Sequence, residues 1–309
     1  MLDLRRLRLL RELSRRGTLA KVAQSLSYSP SAVSQQLSKL QEEVGVTLLE
    51  PDGRGVALTP EARLLVRHTD AVFARLEQAE SELAAAGNHV TGTLRVGTFQ
   101  SVAHALLPDA LDILAQRHPR LRVEAWVLEP AESVPAVITE DLDVAVDEEY
   151  PNRAAAPDEQ LDRQLALDDP LQLVVPAAWG PATVLEDMAE RPWVFEPRGT
   201  MAHAWSVAFC RDAGFEPDVR FAFNDLVLRL RFASTGHAAT ILPALAGAAA
   251  APDVLVRPLP RSPVRRISTV VRRGRVIHPA IGAFRTALRE SADRFAQNTG
   301  RQSAAKVAR

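Results

Sequence analysis

Residues 28–40 read YSPSAVSQQLSKL, and this stretch decides the fold of the N-terminal part of the chain. Ser29 can cap a helix, and Pro30 suits the first helical position because proline has no N–H to leave unpaired there. The apolar side chains of this helix share one face, at Val33, Leu37, Leu40 and Val44. The opposite face carries hydroxyls and one amide, at Ser31, Ser34, Gln35 and Ser38. Such a face can lie in the major groove of DNA, where glutamine pairs with adenine and serine contacts a base or a phosphate. Ser29 and Pro30, at the start of the helix, are expected to belong to the same DNA-contacting surface.

Two more helices are predicted before this one. Leucines recur every three residues from Leu4 to Leu13 and predict an amphipathic helix over about 3–15, which Gly17 ends. Thr18 is a good N-cap for a second helix over 18–26. A turn between this helix and a third, capped one is typical of a helix-turn-helix motif.

A β-hairpin is predicted beyond Gly45. Its strands are expected at Val46–Leu49 and Val56–Leu58, on either side of the segment PDGRG at 51–55. Asp-Gly is a strong signal for a tight hairpin turn. The hairpin would form a wing with Arg54 near its tip, where a guanidinium can contact a phosphate or the minor groove.

Thr59-Pro60 repeats the cap-and-proline start and predicts a long helix. Small or apolar side chains then follow at alternating spacings of four and three, at Leu65, Thr69, Val72, Leu76, Ala79, Leu83 and Ala86. An isolated helix with such a seam is marginal in water, so a partner helix is implied. The same helix of a second copy would dimerise through Leu65, Val72, Leu76, Ala79 and Leu83 and bring two recognition helices to successive half-sites.

Charge alone does not indicate DNA binding, because the chain has 37 basic and 38 acidic side chains. Residues 1–60 hold nine basic and six acidic side chains, a modest surplus that suits phosphate contacts only if two copies act together. Each of these elements, taken alone, is also compatible with a small helical bundle that has no role in DNA binding. The ordered succession of three helices, wing and heptad seam favours double-stranded DNA as the partner.

A different pattern begins after Gly87, where short apolar strands alternate with helices and indicate an α/β domain. Helices are predicted at 101–117, 201–213 and 279–296. Strands are predicted at about 93–98, 121–127, 142–146, 171–175, 193–195, 219–223, 238–242 and 266–271.

Several functional classes are disfavoured. The single cysteine, Cys210, lies in an apolar run and is expected to be a buried structural thiol. The acidic stretch 141–149 could suggest a metal site, but its alternation with apolar residues favours a solvated strand edge. No nucleotide, hydrolase or zinc motif occurs, so neither enzyme activity nor a cofactor is expected. Charges throughout the first 16 residues, and no apolar run of about 20 residues, predict a cytoplasmic protein without a membrane contact.

The N-terminal residues resemble the DNA-binding domain of LysR-type transcriptional regulators. The matching positions are Gly17-Thr18, Ala23, Leu26, Ser29 to Leu37, Leu40, Val44-Gly45-Val46, Leu48-Leu49-Glu50, Gly53-Arg54 and Leu58-Thr59-Pro60. The resemblance implies that Thr18 touches phosphate, that Ser34 and Gln35 face the groove, and that Arg54 makes the wing contact. The chain departs from the family's usual residues at Pro30, Gln35, Gln41, Pro51 and Ala62. These departures leave fewer charged donors for phosphates.

The second half resembles the effector domain of the same family, which is similar to type 2 periplasmic binding proteins. The implied organisation is an α+β winged helix-turn-helix domain at 1–59, a coiled-coil linker helix at 60–89, an α/β effector domain at 90–297 and a flexible tail at 298–309. Lobe I is expected at 91–166 and 267–297, and lobe II at 168–262. Two crossover strands are expected to join the lobes.

A ligand cleft is expected between the lobes, where helix N-termini and free N–H groups attract an anion. The resemblance points to Thr98, Phe99, Gln100 and Ser101 for polar ligand contacts, although this turn could be an ordinary helix cap. The second wall is expected at Arg198, Thr200 and Asp225. Asp225 is equally suited to a helix N-cap, and Arg198 to a surface salt bridge. The expected effector is a small carboxylate or an amino acid.

Together these expectations describe a sequence-specific DNA-binding transcription regulator, a homodimer or homotetramer, whose activity a small molecule modulates. The main alternative is an architectural DNA-binding protein without an effector. A solute-binding protein is disfavoured because a DNA-binding domain, and no export signal, precedes the α/β part.

Overall fold

The computed structural model describes residues 2–53, 55–87, 90–153, 157–180 and 184–307. Its N-terminal domain consists of α1 at Leu4–Arg16, α2 at Leu19–Leu26, α3 at Pro30–Val44, β1 at Leu49–Asp52 and β2 at Gly55–Leu58. The three helices begin and end close to the predicted residues. Their core joins Leu10 of α1 to Val22 of α2 and Leu37 of α3, all fully buried.

The wing hairpin lies further along the chain than predicted. Its first strand is Leu49–Asp52 instead of Val46–Leu49, and Pro51 stands opposite Val56 in the antiparallel pair. Proline is tolerated on an edge strand, where the missing N–H would face solvent. The sequence prediction ended the strand before Pro51 and therefore placed it three residues early.

The linker helix, α4 at Pro60–Ala86, is continuous over 27 residues. Thr59 caps it as predicted, because its Oγ1 accepts a hydrogen bond from the N–H of Ala62 at 3.1 Å. The same hydroxyl donates to the carbonyl of Thr47 at 2.9 Å, which ties the start of α4 to the segment before the wing. The helix therefore begins at a position fixed by the DNA-binding domain.

Within the described residues, the α/β part contains one large mixed sheet and one small parallel sheet. The strands of the large sheet are β3 Gly92–Thr98, β4 Leu121–Val127, β5 Val144–Glu149, β6 Leu161–Pro176, β9 Thr240–Pro243, β10 Val254–Pro258 and β11 Val264–Arg272. Their order in the sheet is β10-β6-β11-β5-β3-β4, and β9 also pairs with β6. The small sheet pairs β7 Pro192–Phe195 with β8 Asp218–Ala222.

Strands β6 and β11 join the two lobes. β6 pairs with β11 from Leu161 to Pro170, and from Leu171 onward it pairs with β9 and β10 of lobe II. The sequence predicted a strand only over 171–175, because residues 161–170 read LDRQLALDDP and carry four charges and a proline. Four of these five residues are half-buried or exposed, and the fifth, Asp169, is buried against Arg265, so the strand tolerates them. Strand β10 was missed altogether.

Helices cover the sheet on both lobes, and two predictions about them are wrong. The helices are α5 Gln100–Ala105, α6 Leu107–Arg117, α7 Pro130–Ile138, α8 Met201–Asp212, α9 Leu226–Ser234 and α10 Pro279–Val307. The single helix predicted at 101–117 is broken at Leu106, because Pro108 occupies the first turn of a new helix. The last helix continues through residues 298–307 of the predicted flexible tail, since one glycine costs only about 1 kcal/mol. Ala308 and Arg309 lie outside the described residues.

The DNA-binding domain lies against lobe I. The buried Arg11 of α1 donates to Asp70 of α4 at 2.8 Å and to Glu140, after α7, at 2.7 Å. Arg272 of β11 donates to Glu77 of α4 at 2.8 Å. These ion pairs connect the DNA-binding domain, the linker helix and lobe I within one chain.

Candidate DNA-binding and effector sites

The exposed face of α3 is polar over most of its length. Ser31, Ser34, Gln35 and Ser38 are all exposed. In the described part of the chain, the Ser34 hydroxyl and the Gln35 amide have no hydrogen-bond partner, whereas Ser38 donates to the Ser34 carbonyl at 3.1 Å. Free donors and acceptors on an exposed helix are what base-edge contacts in the major groove require.

Other predicted DNA contacts also cap helices. Thr18 accepts a hydrogen bond from the N–H of Lys21 at 3.3 Å, and Ser29 accepts one from the N–H of Ala32 at 3.2 Å. Pro30 is exposed at the start of α3. A hydroxyl that accepts a cap bond still has its proton, so Thr18 and Ser29 can donate to phosphate. The predicted wing contact, Arg54, lies outside the described residues.

Gln41 is a structural residue of this domain that sequence reasoning did not find. Its Oε1 accepts hydrogen bonds from the N–H groups of Leu48 and Leu49, at 2.8 and 3.0 Å. Gln41 therefore ties the end of α3 to the start of the wing. Its departure from the family's usual residue was visible in the sequence, but its role depends on a turn that the sequence did not define.

Ion pairs within the chain use much of the positive charge of residues 1–60. Arg6 pairs with Glu43, Arg11 with Asp70, and Arg16 with Glu12 at 2.7 Å. Among the described residues of this domain, the exposed cations that form no ion pair are Arg5, Lys21 and Lys39. Phosphate contacts from this surface must therefore rely on few charges together with hydroxyls and helix N-termini.

The linker helix presents an apolar stripe to solvent. Val72 is 43% exposed, Leu76 42% and Leu83 75%, while Ala79 is exposed and Leu65 half-buried. Thr69, which the heptad pattern also assigned to this stripe, is instead buried against the same chain, where its hydroxyl donates to the Leu65 carbonyl at 2.8 Å. An apolar stripe of this length is typical of a protein–protein contact.

Two adjoining cavities lie between the lobes. The outer cavity measures about 740 Å³, and the inner cavity leaves only about 30 Å³. Both are lined by Glu129, Glu148, Glu196 and Asn224. Since small-molecule sites usually measure several hundred Å³, the outer cavity has room for an effector.

Arg265 of β11 occupies the inner cavity and is only 4% exposed. It donates to Asp169 at 2.7 Å, to Glu148 at 2.5 Å and to the Ser101 hydroxyl at 2.6 Å. Its guanidinium also lies over the ring of Phe99, 5.2 Å from the centroid. Burial opposes its charge, but Glu148 and Asp169 outweigh that effect and raise the pKa of Arg265. Arg265 therefore stays positively charged.

Carboxylates dominate the rest of the cleft. Burial, together with Glu196 and Glu129, raises the pKa of Glu148 to about 7 despite the opposing charge of Arg265. Burial also raises the pKa of Glu129, helped by the negative charges of Glu196 and Glu132. Glu196 accepts a hydrogen bond from Arg229 at 2.8 Å. The cleft therefore holds more negative charge than its own arginines neutralise.

The structure places four of the predicted effector residues at the cleft. Phe99, Gln100 and Ser101 line the inner cavity, and Thr200 lines the outer one. Gln100 crosses between the lobes, because its Oε1 accepts a hydrogen bond from the N–H of Leu226 at 2.6 Å. The N-cap residue of α5 is Phe99, which makes no side-chain cap bond, so no hydroxyl of this turn caps the helix.

The other three predicted residues do not line these cavities. Thr98 is buried, and Arg198 is exposed on the surface. Asp225 caps α9 by accepting a hydrogen bond from the N–H of Leu228 at 2.9 Å, and this bond is the main cause of its lowered pKa. The N-cap alternative for Asp225 thus describes its observed role.

Sequence reasoning missed most of the charged residues of the cleft. They come from separate elements and share no motif, at Glu129, Glu148, Glu196, Arg229 and Arg265. The acidic stretch 141–149 contained Glu148 but was predicted to be a solvated edge, which is wrong. Asp143 and Asp147 are buried and pair with Arg95 and Arg163. In the described part of the chain, no group of acidic, histidine or cysteine side chains could hold a metal ion.

Two family models match the chain. The LysR substrate binding domain covers residues 87–293, and the bacterial regulatory helix-turn-helix protein, lysR family, covers residues 4–63. The chain belongs to the LysR family. It is a DNA-binding transcription regulator with an effector-binding domain, which favours the effector-responsive interpretation over the architectural one.

Relatives of this LysR-family chain are similar along most of their length. The transcriptional dual regulator GltC of Bacillus subtilis (strain 168) is 25% identical over 92% of the chain and 95% of that protein. The DNA-binding transcriptional dual regulator OxyR of Escherichia coli (strain K12) is 25% identical over 79% of the chain and 80% of that protein. Both relatives are named as regulators of transcription.

Solved structures share the fold. A full-length OxyR variant from Pseudomonas aeruginosa aligns with a TM-score of 0.64 and 21% identity, over 94% of this chain and 98% of that one. Full-length CbnR complexed with its target DNA aligns with a TM-score of 0.53 and 22% identity, over 94% and 99%. At these identities the likeness concerns the two-lobed fold and its helix-turn-helix domain.

Cys210 has the environment predicted for it in this LysR-family chain. The thiol is fully buried in the core of lobe II, and burial raises its pKa to about 12. A thiol with that pKa carries almost no thiolate near neutral pH, so Cys210 lacks the reactive form. Across the described residues, no helix is both long and apolar enough to cross a lipid bilayer.

Proposed function

We propose that the chain binds DNA as a homodimer, with α3 of each copy in a major groove. The observation that supports this most is the exposed face of α3, where Ser34 and Gln35 keep free polar groups. Thr18 and Ser29 would donate to phosphates at the two helix N-termini, and Ser31 and Ser38 would extend the same surface. Pro30 would lie beside the backbone, and Arg54 would contact it from the wing.

The apolar stripe of α4 would hold the two copies together. In this arrangement one stripe packs against the same stripe of the second copy, and the contact buries apolar side chains that are exposed in the single chain. The stripe consists of Leu65, Val72, Leu76, Ala79 and Leu83. A helix of 27 residues is about 40 Å long. That length suits two recognition helices that are about one turn of DNA, or 34 Å, apart.

We further infer that a small molecule bound in the interlobe cleft modulates this binding. The outer cavity has room for it, and Gln100, Ser101 and Thr200 supply polar groups at its walls. A ligand changes DNA binding only if its affinity differs between two arrangements of the protein. The ion pairs between α1, α4 and lobe I are the contacts whose geometry such a change would alter.

A footprint on DNA upstream of the gene tests the recognition face. The double variant Ser34→Ala and Gln35→Ala should lose the preference for the specific site by roughly tenfold or more, since a good base contact contributes about 1–3 kcal/mol. Gln116→Ala, on the exposed side of α6 in lobe I, is the matched control and should leave the footprint unchanged. Unchanged site preference in the double variant would contradict the assignment of α3.

A further inference from the structure

The interlobe cleft has an excess of carboxylates over arginines. Its two cavities are lined by Glu129, Glu132, Asp147, Glu148 and Glu196, against Arg153, Arg163, Arg229 and Arg265. A sixth carboxylate, the buried Asp169, lies directly behind Arg265. The wall that an effector meets therefore carries more carboxylates than arginines.

The arginines of the cleft are largely occupied by the protein's own carboxylates. Arg265 pairs with both Asp169 and Glu148, Arg163 pairs with Asp147, and Arg229 pairs with Glu196. The remaining cation, Arg153, is exposed at the rim.

Two carboxylates of the outer cavity, Glu132 and Glu129, form no ion pair within the described residues, and Glu129 is the more buried of the two. It is half-buried, lines both cavities, and has no ion pair or hydrogen bond to its carboxylate within the described residues. Burial and the carboxylates of Glu196 and Glu132 raise its pKa, and the charge of Arg229 opposes them with a smaller effect. An anionic ligand at this wall would add a further negative charge, whereas a cation would supply the missing one.

A separate observation identifies a second feature of the ligand. Arg229 is only 5% exposed and lines the inner cavity, yet its Nε donor has no acceptor within the described residues. A buried donor without an acceptor is costly, and a ligand oxygen in the cavity can remove that cost. The cleft therefore contains a carboxylate, Glu129, that can bind a cationic group, and an N–H donor, on Arg229, that can bind an uncharged oxygen acceptor.

We propose that the effector is a small protonated amine that also carries a hydrogen-bond acceptor, with its ammonium group against Glu129. The ammonium would lie between Glu129, Glu148 and Glu196, and an oxygen of the same molecule would accept from Arg229. This assignment rests on the proposed function, because it takes the cleft as the effector site. This proposal gives up the small carboxylate that was expected from the sequence. An amino acid, the other expected effector, fits the proposal if its side chain is basic.

The protonation of the cleft supports this chemistry. Burial raises the pKa values of Glu129 and Glu148, and neighbouring carboxylates raise them further. A bound ammonium lowers both pKa values by favouring the ionised carboxylates. Amine binding should therefore release protons near neutral pH, whereas binding of a carboxylate should take protons up.

Thermal unfolding of the full-length protein with ligands of opposite charge tests the proposal. The probes are 5-aminopentan-1-ol and lysine, which carry an ammonium group and an acceptor oxygen, and glutarate as an anion of similar length. At about 100 times its Kd, an amine should raise Tm by roughly 5 °C, because it binds the folded state. Glutarate should leave Tm unchanged, and calorimetry in two buffers should show proton release with the amines.

Two variants assign the effect to the cleft. Glu129→Gln keeps the shape of the side chain and should remove the amine-dependent rise in Tm, whereas Glu190→Gln, exposed elsewhere on lobe II, should keep it. A rise caused by glutarate, an amine effect that persists in Glu129→Gln, or no rise with any amine would overturn the proposal. The DNA footprint without ligand is measured separately, so failure here leaves the DNA-binding proposal standing on its own test.

Discussion

Gly274 lies where a turn of lobe I touches the linker helix, and replacing it with alanine should disrupt that contact. An added Cβ would lie 2.5 Å from the Ala74 carbonyl oxygen and 2.8 Å from the Cβ of Glu77. The nearer atom belongs to the helix backbone, so no flexible side chain can move aside. Ordinary contacts begin at 3.4 Å, so the turn and α4 must separate by close to 1 Å.

The cost follows from what this separation changes. Overpacking of a close contact typically costs about 1–3 kcal/mol. The buried Ser81 hydroxyl lies 3.0 Å from the Gly274 carbonyl and 2.8 Å from the Glu77 carbonyl of its own helix, so it can still donate to Glu77 when the turn moves away. We therefore expect Gly274→Ala to lower the free energy of unfolding by about 1–3 kcal/mol, unless the linker helix separates from lobe I first.

Urea denaturation followed by circular dichroism measures the effect, and limited proteolysis after Gly87 reports separation of the linker helix from lobe I. The control is Gly282→Ala in α10, where an added Cβ meets nothing within 4 Å. Because alanine favours helix more than glycine does, this control should stabilise the protein by about 0.5–1 kcal/mol. Equal stability and equal proteolysis of Gly274→Ala and the unchanged protein would refute the close contact between the turn and α4.

Two further predictions concern the dimer and pH. Leu76→Glu together with Leu83→Glu should convert the dimer to monomers in analytical ultracentrifugation, because the new charges lie in the apolar seam. The control is Val184→Glu, which changes an exposed apolar residue outside the seam and should leave the dimer intact. Glu148 has its pKa raised to about 7, so the folded state holds this proton more tightly than the unfolded state. Its contribution to stability is complete below about pH 4.5 and is lost as the pH rises through 7. Glu148→Gln should flatten that decline in urea midpoints; an unchanged pH profile would contradict the raised pKa.

Local signals explain why the N-terminal domain was largely predictable. Helix starts depend on residues a few positions apart, and Thr18, Ser29 and Thr59 each accept the N–H bond expected of an N-cap. The register of the wing was missed because it depends on pairing across a turn, and Pro51 sits at a position that only the edge of a hairpin allows. Periodicity also assigned Thr69 to the heptad seam, although packing against the same chain buries it.

The effector cleft was much less predictable, because its chemistry depends on contacts between residues distant in sequence. Arg265 meets Asp169 across 96 residues and Ser101 across 164. A sequence pattern shows that charged residues exist but not which of them neutralise each other. For this reason the turn at 98–101 was found, whereas the excess of negative charge opposite it was not.

The same limit applies to the arginines of α1, whose role changes the interpretation of the charge in this domain. Arg11 and Arg16 belong to the nine basic side chains counted in residues 1–60, yet they bind Glu140 and Asp141 of lobe I. Strand β11 carries Arg265 in the cleft near one end and Arg272, bound to Glu77 of α4, at the other. An extended strand rises about 3.4 Å per residue. For the effector response proposed above, β11 thus connects the cleft to the linker helix through one continuous strand, and the ion pairs of α1 connect lobe I to the DNA-binding domain.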